Sequence, residues 1–173
     1  MVGPGPTQQE METILRIAAR TPDHGGLAPW RFVTVSSDQR EDLAALLLDA
    51  LDEANEASTQ AHREKEVSFA HYPGQLVVLV SATTANHKIP EWEQQLSCGA
   101  AGMNLLMAAH ALGYVGGWVT GRRAYSERVR KAFCGAGERV AGFIFLGHPD
   151  RDLEDRPRPS LGSVVRAWQS RSA

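Results

Sequence analysis

The chain has 173 residues, a formal net charge of -2, 43% hydrophobic and 22% charged residues, a size that suits one domain with a sizeable core and a charge that gives no basic field for nucleic acid. Its apolar runs are too short to span a membrane, and its start, "MVGPGP", lacks the basic and apolar pattern of a leader. Cys98 and Cys134 form no CxxC and no disulfide framework, so a reducing cytoplasm is the expected location.

In chain order, Thr7 and Glu10 have capping-box spacing and open a helix over "TQQEMETILRIAAR", with Met11, Ile14, Leu15 and Ala18 as its apolar stripe. Pro22 disfavours helical geometry at Thr21 and ends that helix near Arg20. "RFVTVSS" is rich in β-branched residues and reads as a strand. Asp38 and Glu41 repeat the capping spacing, and Leu43, Leu46, Leu47, Ala50, Leu51 and Ala54 follow on one helical face. The polar stretch from Glu56 to Phe69 reads as a helix end and a surface segment. "QLVVLVSAT" is continuously apolar and reads as a buried strand.

Glu91 to Leu112 is a long helix. It is polar in its first turns ("EWEQQ"), then small and apolar nearly all round, which places it inside a fold or in an interface. Gly113 is placed to end it. "VGGWVT" reads as a short strand, "YSERVRKAF" as a helix and "RVAGFIFLG" as a strand. "RPRPSLGSVVRAW" takes an extended path before a last short helix. The order gives an α/β or α+β fold, with helices covering a sheet, in a single domain over residues 1–173.

Several chemistries have no motif here. There is no GxGxxG after a strand, no GxxxxGK[ST], no GxSxG elbow and no HExxH, and the six histidines lack metal-ligand spacing. "CGAAG" at Cys98–Gly102 falls inside the long helix, where small residues permit close packing. One segment remains conspicuous. "RTPDHGGLAPWRF", Arg20 to Phe32, needs turn formers, but a plain connector does not need Arg20, His24 and Trp30 as well.

That segment carries a resemblance. "LRIAARTPDHGGLAPWRFVTV" resembles the flavin loop of the nitroreductase family, in its compact NAD(P)H subgroup. "NHKIPEWEQQLSCGAAGMNLLMAAHALGYVGGWVTG" and "VAGFIFLGHP" resemble two further segments of that family, in the same order, so the likeness spans most of the chain. The resemblance implies an α+β, three-layer fold with a mixed sheet flanked by helices. It implies a homodimer with FMN at the interface and the long helix at the dimer core. It also implies ping-pong hydride transfer, from NAD(P)H to flavin and then to a nitroaromatic or quinone, a small-molecule acceptor. The cofactor would supply the reactive atom, so the lack of a catalytic dyad does not count against an enzyme.

By the match, Arg20 and His24 contact FMN; without it, Arg20 reads as a helix-end cation and His24 as a turn residue. Trp118, Val119 and Thr120 match the second flavin segment, the alternative for Trp118 being a buried ring at a strand end. Ala108, Ala109, His110, Ala111, Leu112 and Gly113 match a stretch linked to the nicotinamide nucleotide, or serve helix packing. "EWEQ" at Glu91–Gln94 could shape the site entrance or the dimer contact, but Glu91 and Glu93 read preferentially as acids complementing a helix N-terminus, and the cysteines as core. The family's opening helix ends in Arg-Arg-Ser, which holds the FMN phosphate. None of the six residues before Thr7 is Arg, Lys or Ser, so that anchor is expected to be absent and FMN to bind loosely; Arg156 and Arg158 could offer replacement cations, the safer reading being an exposed tail pair. The rival readings are a dimeric flavin binder without turnover, and relatives that fragment flavin or dehalogenate aromatics.

Overall fold

Thr7 caps the first helix as its spacing predicts: its hydroxyl accepts the Glu10 N–H, and the Glu10 carboxylate accepts the Thr7 N–H at 2.8 Å. The computed structural model describes residues 1–54 and 58–169. Helix α1 (Gln8–Ala18) buries Met11, Ile14 and Ala18. It is followed by β1 (Trp30–Val35), α2 (Arg40–Glu53), α3 (Gln60–Ala70), β2 (Gln75–Ser81) and α4 (Glu91–Ala111). Then come β3 (Val115–Val119), the short α5 (Arg122–Tyr125), α6 (Glu127–Phe133), β4 (Arg139–Gly147) and, in the extended tail, α7 (Leu161–Val164).

Two local readings need correction. A tight 3-10 turn at Ser37–Gln39 precedes α2, so the capping box is Ser36 with Gln39, not Asp38 with Glu41. The extra turn moves the first unpaired N–H groups toward Ser36. The polar stretch is a helix, α3, capped by Thr59; Glu56 itself lies outside the described residues. Packing holds α3 despite its polarity. Buried Glu66 accepts from Arg123 Nε at 2.5 Å, and the Arg123 guanidinium lies 4.1 Å from the centre of the Phe69 ring.

The strand order is β1-β2-β4-β3, and all three adjacent pairs are antiparallel, where a mixed sheet was expected. The connections explain this. The helix pair α2 and α3 returns the chain to the end where β1 finished, so β2 runs opposite to β1. The single helix α4 makes β3 run with β2, but β4 lies between them, so no neighbours are parallel. The α+β, three-layer reading stands. On β2, Val77 and Leu79 face α1 and α4, while Leu76, Val78 and Val80 join the core under α2 and α6.

Both cysteines are free, Cys98 buried and Cys134 half-buried, and burial pushes each thiol up to about 11. Thiolate is therefore scarce at pH 8. A disulfide reagent at that pH is expected to leave the native protein almost unlabelled and to label both cysteines in guanidinium, read by absorbance of the released thiol. Fast labelling of native protein would overturn this.

Candidate functional site

The chain leaves α1 and turns sharply before β1. Gly25 has φ of +80°, a conformation that favours glycine, and a Cβ there would push aside the tip of Ile89, whose Cδ1 would stand 2.3 Å away. Asp23 closes the turn by accepting the Ala28 N–H at 2.9 Å. The loop is fastened to α4 by three side chains. Asn104 Nδ2 donates to Thr21 Oγ1 at 2.7 Å, Ser97 Oγ donates to the Pro22 carbonyl at 2.7 Å, and Glu93 Oε2 lies 2.8 Å from His24 Nδ1. Residues 93, 97 and 104 recur at helical spacing, so one flank of α4 carries the loop.

Next round the helix lies an uncovered apolar stripe. Trp92, Leu96, Met103 and Met107 are 67%, 53%, 51% and 54% exposed, and they repeat the loop flank's spacing with an offset of about 100°. Helix α4 is thus buried on one side only in the single chain, not all round. Beyond the stripe is the β3 flank. Trp118 lies against Gly102 of α4, where a Cβ would stand 2.5 Å from its ring, and its indole N–H donates to the Ala141 carbonyl at 3.1 Å. A break in the β2–β4 register between Leu79 and Val80 accompanies that contact, and a Cβ on Gly142 would stand 2.1 Å from Trp118 Nε1. The half-buried ring of Trp118 thus packs between α4 and β4, while Val119, at the end of the edge strand β3, and Thr120, just beyond it, are exposed.

Arg20 is exposed, and among the described residues no group pairs with its guanidinium. His24 is exposed, with Nε2 unpartnered. The loop bearing Arg20 and His24 thus lies along one flank of α4, while Trp118 meets α4 at Gly102, about 200° round the helix from Asn104. Val119, paired with Phe143, lies on the other face of the sheet, beside Phe69 and Tyr72. Ala108 to Gly113 form the far end of α4, about 25 Å along its axis from Glu93. Ala108 and Ala109 are core residues; His110, Ala111, Leu112 and Gly113 are exposed, and Gly113 turns the chain with φ of +88°. One chain therefore brings together Arg20 and His24 but not the other two segments. Arg156 and Arg158 sit in the exposed tail, with Arg158 3.6 Å from Asp155.

The sequence reading singled out Glu93 but not its contact with His24, and it missed Ser97 and Asn104. Glu93 lies 69 residues from its partner, and no local pattern joins them. In the same motif Glu91 Oε1 accepts from Thr83 Oγ1 at 3.3 Å, while buried Gln94 accepts the Thr84 N–H at 2.7 Å and donates to the Ile89 carbonyl. "EWEQ" thus fastens both loops beside α4. Among the described residues no His, Cys, Asp and Glu group could hold a metal, and no helix is long and apolar enough to cross a membrane.

Residues 3–148 match the model of the nitroreductase family. The Escherichia coli (strain K12) protein named "Putative NAD(P)H nitroreductase YdjA" is 34% identical over 147 residues, 84% of this chain and 79% of that protein. Among solved structures, a nitroreductase-like family protein from Bacillus cereus aligns with a TM-score of 0.79 at 18% identity, covering 96% of this chain and 88% of that one. The FMN-dependent nitroreductase NfnB from Mycobacterium smegmatis, solved in complex with NADPH, aligns with a TM-score of 0.73 at 16% identity, covering 96% and 90%.

Proposed function

This chain belongs to the nitroreductase family, a family of oxidoreductases, and from that membership we propose that it is an FMN-dependent NAD(P)H oxidoreductase reducing nitroaromatics or quinones by ping-pong hydride transfer. The observation that carries this reading is the loop from Arg20 to Gly26. It is fastened to α4 at three points, yet it leaves a guanidinium and an imidazole nitrogen free beside an uncovered apolar surface.

That donor set suits FMN. Arg20 offers a fixed cation to a phosphate or to the negative charge of a reduced ring, and His24 a hydrogen-bonding nitrogen. Around Val119 and Thr120 the exposed edge of β3 offers main-chain groups and one short hydroxyl. When bound, FMN accepts hydride from NAD(P)H and passes reducing equivalents to the acceptor. The chain's own part is to orient, to balance charge and to cover the ring. At the far end of α4, His110 to Gly113 are the exposed part of the stretch proposed to meet the nicotinamide nucleotide; Ala108 and Ala109 contribute by holding the helix end in the core.

The stripe Trp92–Met107 separates the flank of α4 that carries His24 from the flank where Trp118 of β3 meets Gly102. A second copy docked on that stripe would bring its β3 flank to this chain's loop. We therefore propose a homodimer with each flavin between copies, which also covers the four exposed apolar side chains. The free thiols suit a reducing cytoplasm.

The test is a flavin titration followed by NADPH oxidation with a quinone. FMN is expected to quench on binding and to be required for turnover; oxidation that never depends on FMN would overturn the proposal. Arg20→Ala and His24→Ala should each weaken FMN binding by about 10- to 100-fold, the loss of one hydrogen bond to a charged group. Both residues are exposed, so the flavin-free variants should melt within about 0.5 kcal/mol of the parent. Unchanged FMN affinity in both variants refutes the site.

A further inference from the structure

Of the three bonds that fasten the loop, two use α4 side chains to hold the main chain or the buried hydroxyl of Thr21. The third is different. Glu93 holds the ring of His24, which is otherwise exposed and has nothing on Nε2. A carboxylate only accepts, so Nδ1 must carry the hydrogen whether the ring is neutral or protonated. In the neutral ring Nε2 is then a pure acceptor. An unattached histidine in water prefers the other tautomer, with its hydrogen on Nε2.

We infer that Glu93 is a positioning residue, fixing the plane and tautomer of His24 so that Nε2 presents an acceptor lone pair to an N–H or O–H of the flavin. This rests on the reading of the loop as a flavin site. The competing role for Glu93 is electrostatic: it lies in the first turn of α4, where any carboxylate complements the helix dipole. The two roles separate at glutamine. Its side-chain carbonyl still accepts from Nδ1–H, but the charge is gone.

The experiment takes the wild type, Glu93→Gln, Glu93→Ala, His24→Ala and the Glu93→Ala/His24→Ala double variant. In flavin-free protein at mildly alkaline pH, nitrogen NMR of the His24 ring is expected to find the Nδ1–H form in the wild type and Glu93→Gln. In Glu93→Ala the Nε2–H form should dominate. In FMN titrations followed by fluorescence quenching, Glu93→Ala is expected to bind about tenfold more weakly. Glu93→Gln should stay within about twofold of the wild type, and the double variant should be no weaker than His24→Ala alone. If Glu93→Gln loses as much as Glu93→Ala, or Glu93→Ala keeps the Nδ1–H tautomer, positioning is overturned while a weakened His24→Ala leaves the loop reading standing. If His24→Ala binds FMN like the wild type, this inference is overturned, and if Arg20→Ala does so as well, the loop reading fails with it.

Discussion

Met103→Glu is expected to convert the protein from a dimer to a monomer in sedimentation velocity at micromolar concentration. Met103 lies within the uncovered stripe of α4, between Leu96 and Met107. A stable interface of this kind buries on the order of 2,000 Å² and is apolar. Two-fold symmetry would place a new carboxylate on each side of that contact. Desolving an unpaired charge costs several kcal/mol, and even about 3 kcal/mol raises the dissociation constant by about two decades. Met103→Leu keeps volume and polarity and should remain dimeric. In the variant the exposed position itself costs the single subunit little, so its helical circular dichroism should survive. A wild type that sediments as a stable folded monomer would overturn the dimer.

Arg40→Ala should lower stability by about 3 kcal/mol, which for a chain of this size is a fall of about 6–12 °C in melting temperature. Arg40 is 6% exposed, and its guanidinium donates to the carbonyls of Ala70 and Gly74, both at 2.9 Å, and more weakly to that of Tyr72. It thereby closes the C-terminus of α3 and fixes the approach to β2. Removing it leaves buried acceptors without donors, which costs more than the bonds themselves contributed. Arg40→Lys should recover only part of the loss, because an ammonium lacks the planar fork. Denaturant midpoints for the three proteins check the order, and an unchanged midpoint in Arg40→Ala would refute the account.

Arg40 also marks where sequence reading stops. The first helix was legible because both halves of its capping box, Thr7 and Glu10, lie within one turn. Strands β2 and β4 were legible from their apolar runs. Helix α3 was not, because what holds it comes from elsewhere: Arg40 from 30 residues upstream and Arg123 from 57 residues downstream of their partners. The antiparallel sheet was hidden for a related reason. Strand direction follows from how many helices intervene, but which strands become neighbours is decided by packing. At the site, the residue types of the loop were legible and their fastening was not. Glu93 looked like any acid in a first helical turn until His24 was placed beside it.

The seat of Trp118 ties three distant positions into one evolutionary unit. Gly102 and Gly142 leave room for the indole from two sides, one on α4 and one on β4. A methyl group at either would have to displace the ring, and the ring is carried by the strand that continues into Val119 and Thr120. Substitution inside the core would therefore be felt as a shift of main chain at the proposed flavin edge, with no change in any residue that faces solvent. Lineages that alter position 102 or 142 should be free to do so only with a smaller side chain at 118, and the three should be inherited together as if they were neighbours in the chain.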